Sequence, residues 1–418
     1  MLDSLTPFAH VRSILEGPSL TPSAPQVRSL EWITRLVSLD TTSRNPNLEL
    51  IDLVATEMRR HGLSPEILPN EDGTKANLLA TIAAADGSTH GGVVLSGHTD
   101  VVPVDGQDWH SEPFTPEIRE GRLYGRGTAD MKSFIGVIVS ALPQLVAARL
   151  SEPVHIALSY DEEVGCGGGA QLAKDISARG LSPRTCIVGE PTSMRVIAAH
   201  KSINLLQITV RGRAAHSSLT PQGVNAIEYA SRLVVFVRSI ADDFKAKGPY
   251  DEAYVVPFTT ASVNLVEGGI AGNTVADLCT VQMEFRSIVE VDPQEVLGRI
   301  RAYCDDLQEE MRSEHPSAGI DLEVLAMVPG LDTAETSPAL ALGALLGGTP
   351  STDKVTYGTE AGLFQASGIE TVVCGPGDIQ QAHAPDEFIE VDQILACEAL
   401  VDRLVQHLTV PGTNGATS

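Results

Sequence analysis

The chain has 418 residues, 43% hydrophobic and 20% charged, with 54 acidic against 29 basic side chains and a net charge of −25. That length exceeds one ordinary core, so two soluble globular domains are expected, and the acidity disfavours nucleic acid or an anionic membrane as partner. No stretch reaches transmembrane length, and MLDSLTPFAHVRSILEG lacks the basic start and apolar run of a signal peptide, so a cytoplasmic location is expected. The six cysteines (166, 186, 279, 304, 374 and 397) have no CxxC spacing and read as buried free thiols.

Residues 1–25, ending in GPSLTPSAP, read as an arm or linker, and residues 411–418 as a tail. QVRSLEWITRLVSL and LELIDLVATEMRRHG carry helical spacing, the second with Asn45-Pro46 as cap and first-turn proline. Strand-like NLLATIAA, GGVVLSGHTDVVP, PVHIALSYDEE and TCIVGEPT then alternate with helix-like DMKSFIGVIVSALPQLVAA and GGAQLAKDISARG. This is α/β order, predicting a mixed, largely parallel sheet flanked by helices. From residue 202 to 329 the order becomes βαββαβ, an inserted α+β ferredoxin-like unit. The α/β texture returns over 330–410, so 26–201 and 330–410 are expected to form one discontinuous catalytic domain.

Several of the α/β strands lead into polar side chains. VVLSGHTD delivers His98 and Asp100, HIALSYDEE delivers Glu162 and Glu163, and CIVGEPT delivers Glu190. LYGRGTADMKS places Asp130 at a helix start, and TVVCGPGDIQQAH leads to His383. A lone histidine or acid at a strand end is usually a cap or a satisfied structural group. Five elements converging on the edge where open α/β sheets bind ligands are harder to assign to chance. Imidazoles with carboxylates suit zinc and its first-row neighbours, in number enough for two metals sharing a bridge. Asp100, two residues beyond His98, is positioned to accept the imidazole's other N–H.

SGHTDVVP, GRGTADMK, DEEVGCGG, VGEPT and QAHAPDEF together resemble the dinuclear-zinc M20 amidohydrolases and peptidases. The resemblance runs over nearly the whole chain after residue 26 and implies a zinc-exopeptidase-like fold with an inserted dimerisation or lid domain. It implies two Zn2+ per subunit, with Co2+ able to substitute. His98 and Glu190 would hold one ion, Glu163 and His383 the other, and Asp130 would bridge, beside a cis Asp130–Met131 bond. Glu162 would be the general base. His216 in RGRAAHSS would reach the active site of the other subunit of a homodimer and stabilise the oxyanion. Arg286 in MEFRS would clamp the substrate's α-carboxylate, and Asn273 would add a polar contact. NTVADLC departs from the family in carrying Ala276 where proline is common. The resemblance assigns no role to Asp161.

Within the family, DTTSRNPN, KANLLATI, AHSSLTPQGVNAIEYA, YGTEAGLFQ and VVCGPGDIQQAHAPDEF are most similar to the branch that releases acetate from N2-acetyl-L-ornithine in arginine synthesis. The implied substrate is a small N-acyl amino acid. Two rivals remain at this point: a family member acting on another acyl group or a dipeptide, and a metal-stabilised binding protein without catalysis.

Overall fold

The computed structural model describes residues 27–410; the N-terminal arm and the 411–418 tail read from sequence lie outside them. The described chain divides into two compact units, one of residues 27–198, 333–351 and 363–410, the other of 199–332 and 352–362.

In the first unit six strands form one sheet. They are β1 (Glu66–Pro69), β2 (Ala76–Ile82), β3 (Val93–His98), β4 (Val154–Ser159), β5 (Thr185–Pro191) and, after the insertion, β10 (Glu370–Gly375). Their spatial order is β1-β2-β4-β3-β5-β10. The β4-β3-β5-β10 block is parallel, while β1 and β2 add antiparallel at one edge. Every residue of β3, β4 and β5 is buried, which is why these segments read as apolar runs and not as alternating strands.

Helices α1 (Leu30–Val37), α2 (Leu48–Arg60), α3 (Lys132–Ala147), α4 (Gly167–Ala178), α7 (Pro338–Leu345) and α8 (Val391–Leu408) belong to this unit. One core joins Ile33, Leu50, Leu95, Phe134, Ile156 and Leu400. Burying each such side chain contributes roughly 1.5–3 kcal/mol. A Cβ on Gly189 would fall 2.1 Å from the Phe134 ring, so glycine there lets β5 press against α3. The expected Asn45-Pro46 cap is displaced: α2 starts at Leu48 after Asn47. The Asn47 side chain does not cap. It bonds Ala76 N (2.9 Å), Ala76 O (2.9 Å) and Thr99 Oγ1 (2.8 Å), tying the helix start to β2 and to the end of β3.

The second unit is an antiparallel sheet of β6 (Ile203–Arg211), β7 (Thr260–Gly268), β8 (Leu278–Arg286) and β9 (Gly319–Val328), in the order β7-β8-β6-β9. With α5 (Ala226–Lys247) and α6 (Pro293–Glu314) it runs βαββαβ around its own core of Leu206, Val237, Phe285 and Ile300. Residues 352–362, expected in the first domain, belong here instead. Lys354 pairs with Asp251 (2.7 Å) and Asp332 (3.4 Å), and Thr359 Oγ1 lies 3.1 Å from His200 Nε2. All six cysteines are buried thiols, none in a disulfide. Among the described residues no helix is long and apolar enough to cross a membrane.

Candidate metal centre

Parallel register brings the first ligands together. β3 and β4 align His98 with Ser159, and β3 and β5 align Ser96 with Val188, so His98 and Glu190 end their strands side by side. The acidic turn 161–163 opens just past Ser159. Asp130 closes a turn that precedes α3, and its bond to Met131 is cis. His383 follows β10 through a short 3-10 turn, on backbone with φ of +61°.

Two triads result. The ligand atoms of His98, Asp130 and Glu190 all lie within 4.8 Å of one another, and so do those of Asp130, Glu163 and His383. His98 Nε2 is 2.9 Å from Asp130 Oδ1 and 3.7 Å from Glu190 Oε1. His383 Nε2 is 3.4 Å from Asp130 Oδ2 and 3.1 Å from Glu163 Oε2. Asp130 therefore offers one oxygen to each triad. Glu163 Oε1 and Glu190 Oε1 are buried without a hydrogen-bond partner. A buried carboxylate oxygen with no donor is costly, and a divalent cation in each triad would satisfy it. Two imidazoles and three carboxylates are the donors that zinc-like ions take. The residues fit two metal ions.

The charges point the same way. Burial pushes Glu190, Glu163 and Glu162 up, with Asp130 and neighbouring carboxylates adding to each, and Glu162 reaches about 8. Burial would lower the His98 pKa, but Glu190 and Asp130 raise it well above the usual range. Hydrogen bonds to Asp130 and Glu163 carry His383 to about 10. Asp130 is held low: its bonds to the two histidines outweigh its burial. Without a cation, four neighbouring carboxylates rely on protons and imidazoles for compensation.

Asp100 does something other than the sequence suggests. His98 Nδ1 lies 2.9 Å from the Asp100 main-chain oxygen, whereas the Asp100 carboxylate is 3.7 Å away. The carboxylate is engaged elsewhere, accepting from Ser43 Oγ (2.7 Å) and from the main-chain N–H of Glu162 (3.1 Å) and Glu163 (3.3 Å). It thus fixes the acidic turn, while its carbonyl sets the His98 tautomer that presents Nε2. Asp161, unassigned from sequence, points away and pairs with Lys75, which also bonds Ser43 O.

Sequence reasoning missed the buried Arg126–Glu387 pair beneath the Asp130 turn. Its signal was the glycine-flanked GRGTAD segment, a turn whose converging N–H groups call for an anion.

His216, Asn273 and Arg286 lie in the second unit. His216 is exposed at the start of a 3-10 turn, and Ser217 N bonds Asn273 O (2.9 Å) beside it. His216 Nδ1 accepts from Ser218 N (3.2 Å) and Oγ (2.8 Å), which leaves Nε2 as the N–H donor. Arg286 ends β8, with its Nε bonded to Glu284.

A profile described as "Peptidase family M20/M25/M40" matches residues 94–407. The acetylornithine deacetylase of Proteus mirabilis (strain HI4320) is 35% identical over 388 residues, covering 91% of this chain and 95% of that protein. Among solved structures, the M20 family metallo-carboxypeptidase Sso-CP2 of Sulfolobus solfataricus is similar at a TM-score of 0.71 and 17% identity, covering 90% of this chain and 98% of that one. The YXEP protein of Bacillus subtilis, a dinuclear metal binding peptidase from the M20 family, is similar at a TM-score of 0.58 and 14% identity, covering 92% of this chain and 100% of that one.

Proposed function

The chain belongs to peptidase family M20/M25/M40, and from that premise we propose that it is a two-zinc amidohydrolase that converts N2-acetyl-L-ornithine to L-ornithine and acetate in arginine synthesis. The observation that carries the chemistry is the pair of triads sharing Asp130, each with a buried carboxylate oxygen that lacks a donor. The substrate rests on the 35% identity with the Proteus deacetylase.

His98 and Glu190 would hold one ion, Glu163 and His383 the other, with Asp130 between them. Two bound divalent ions supply Lewis acidity, polarising the scissile carbonyl and making water at the site a better acid. The remaining steps belong to the chain. Glu162 takes the proton of the attacking water as the C–O bond forms. It then gives that proton to the ornithine nitrogen as the C–N bond breaks, so the base ends as it began. Glu162 is buried next to Glu163, in the acidic turn that supplies one of the candidate ligands. His216 Nε2–H donates to the developing oxyanion, in a homodimer from the partner copy. Arg286 directs its terminal nitrogens to the substrate α-carboxylate, since Glu284 occupies Nε, and Asn273 adds a polar contact. The net acidity of the chain suits the ornithine ammonium.

The test is hydrolysis by zinc- or cobalt-loaded protein of N2-acetyl-L-ornithine, N-acetylmethionine, N-succinyl-diaminopimelate and a dipeptide, each with and without chelator. A strong preference for acetylornithine, abolished by chelation, is expected. Metal-dependent preference for another compound would overturn the substrate and leave the chemistry. Turnover of acetylornithine that survives full metal removal would overturn the chemistry.

A further inference from the structure

Three of the five candidate ligands, Asp130, Glu163 and His383, stand on turns or loops, and His383 has little packing to hold it. The His383 side chain is 52% exposed on a backbone with positive φ, while His98 is 1% exposed. What reaches both the His383 loop and the Asp130 turn is one buried ion pair.

Glu387 Oε1 accepts three main-chain N–H groups of the Asp130 turn, those of Gly127 (3.1 Å), Ala129 (2.8 Å) and Asp130 itself (3.1 Å). Gly127, at φ +86°, gives the turn the hand that lets these groups converge. Glu387 Oε2 accepts from Arg126 Nη1 at 2.6 Å, and both side chains are 1% exposed. Arg126 then reaches the other loop. Its Nη2 donates to Gln107 Oε1 (2.6 Å), its Nη1 to Ala384 O (3.4 Å), and Gln107 Nε2 donates to His383 O (2.8 Å). Trp109 closes the circuit over Arg126, with its indole N–H on Gln107 Oε1 at 3.0 Å.

Resting on the two-metal reading, we propose that the Arg126–Glu387 pair and Gln107 form a positioning unit that sets where Asp130 and His383 stand, and so the affinity of the half-centre they share with Glu163. Stability alone is a poor reason for such a pair. Burying two ions costs several kcal/mol each, and apolar replacements of similar shape are often as stable. Position is a better one: ligand distances must be right to within about 0.2 Å, and removing groups that orient ligands typically costs about 10- to 100-fold in metal affinity. The circuit has two arms, and each can be cut. Gln107→Ala releases His383 and leaves the Asp130 turn held. Glu387→Gln removes the charge that gathers the three N–H groups and holds Arg126, and so loosens both.

The experiment titrates the metal-depleted full chain with zinc against a competing chelator, records the visible spectrum of the Co2+ form, and measures melting of the metal-free chain. Gln107→Ala is expected to weaken one of two binding steps about tenfold, leave the other and the metal-free melting temperature unchanged, and alter the Co2+ spectrum. Glu387→Gln is expected to weaken both steps. Asp386→Asn, which loosens the same loop only at His110, is expected to change neither. Wild-type affinities and an unchanged Co2+ spectrum in Gln107→Ala overturn the proposal. So does lower melting with intact metal binding, which is the mark of a structural role. Should Glu387→Gln fail to fold, Gln107→Ala still decides. A wild-type chain that binds no metal would defeat the two-metal reading itself, a result distinct from either.

Discussion

His98 and Glu190 rise from the ends of neighbouring parallel strands whose every residue is buried, while His383 hangs from a loop with half its side chain in solvent. The first half of the centre is fixed by the sheet: register sets the spacing, and the Asp100 carbonyl sets the imidazole tautomer. The second half is fixed by side chains, through a circuit that runs from the Asp130 turn to the His383 carbonyl. Both halves carry a buried carboxylate oxygen without a donor, Glu190 Oε1 in one and Glu163 Oε1 in the other. They differ in the histidine: His98 is buried in the core, while the half-exposed His383 can loosen with less disturbance of it. Asp130 joins them, with one oxygen turned to each.

That contrast can be broken most severely at the joint. Asp130→Ala is expected to abolish binding of both ions and all measurable turnover, by dialysis and metal analysis; retention of either ion at wild-type affinity would deny the shared bridge. Glu162→Gln is expected to lower kcat about 10²- to 10⁴-fold while both ions remain bound, because it removes the proton shuttle and no ligand. A fall in metal content parallel to the fall in rate would instead make Glu162 part of the metal cradle. The two histidines should then differ in stability. In the metal-free chain His98→Ala should cost about 1–3 kcal/mol by denaturant titration, since it leaves buried carboxylates without their donor. His383→Ala should cost less, because its ring is half exposed, although it too takes a donor from Asp130 and Glu163 and each variant loses one ion. Equal destabilisation by the two would erase the distinction between the halves.

A smaller effect comes from a histidine that faces no carboxylate. His200, fully buried in the second unit, is pushed down to about 4, chiefly by burial, with Arg286 adding to it. Its Nδ1 donates to Lys201 O at 2.9 Å, and its Nε2 faces the Thr359 hydroxyl. Unfolded, the imidazole returns to an ordinary value of about 6.5. Between those two values the unfolded chain binds the extra proton, so stability rises with pH across the window and is lost as pH falls from 6.5 toward 4. His200→Gln should flatten that slope in denaturation midpoints taken from pH 4 to 7; an unchanged slope would place its origin elsewhere.

The sheet-mounted half of the site was legible because a buried strand is an apolar run, and a polar residue at its end is conspicuous. His98 and Glu190 could be placed at one edge without coordinates because parallel strands share their carboxyl ends. The loop-mounted residues were legible as polar groups on turns after strands, but their grouping around a second ion came only from the family resemblance. Nothing local marks Glu387 as the acceptor for a turn 257 to 260 residues away, or Gln107 as the tether of His383. Asp161 was opaque for the same reason: its partner, Lys75, comes from a distant loop. Asn47 in place of Asn45 at the start of α2, and residues 352–362 in the second unit, were settled by contacts outside their own segments, which local pattern does not encode.

The most direct test of the central claim is the number of zinc ions bound per chain, measured by metal analysis after equilibrium dialysis, together with acetylornithine turnover at each loading. The account predicts two ions per wild-type chain, one in His383→Ala, none in Asp130→Ala, and turnover only where ions are held. A wild-type chain that saturates with a single ion, or that binds two equally well without Asp130, would contradict it.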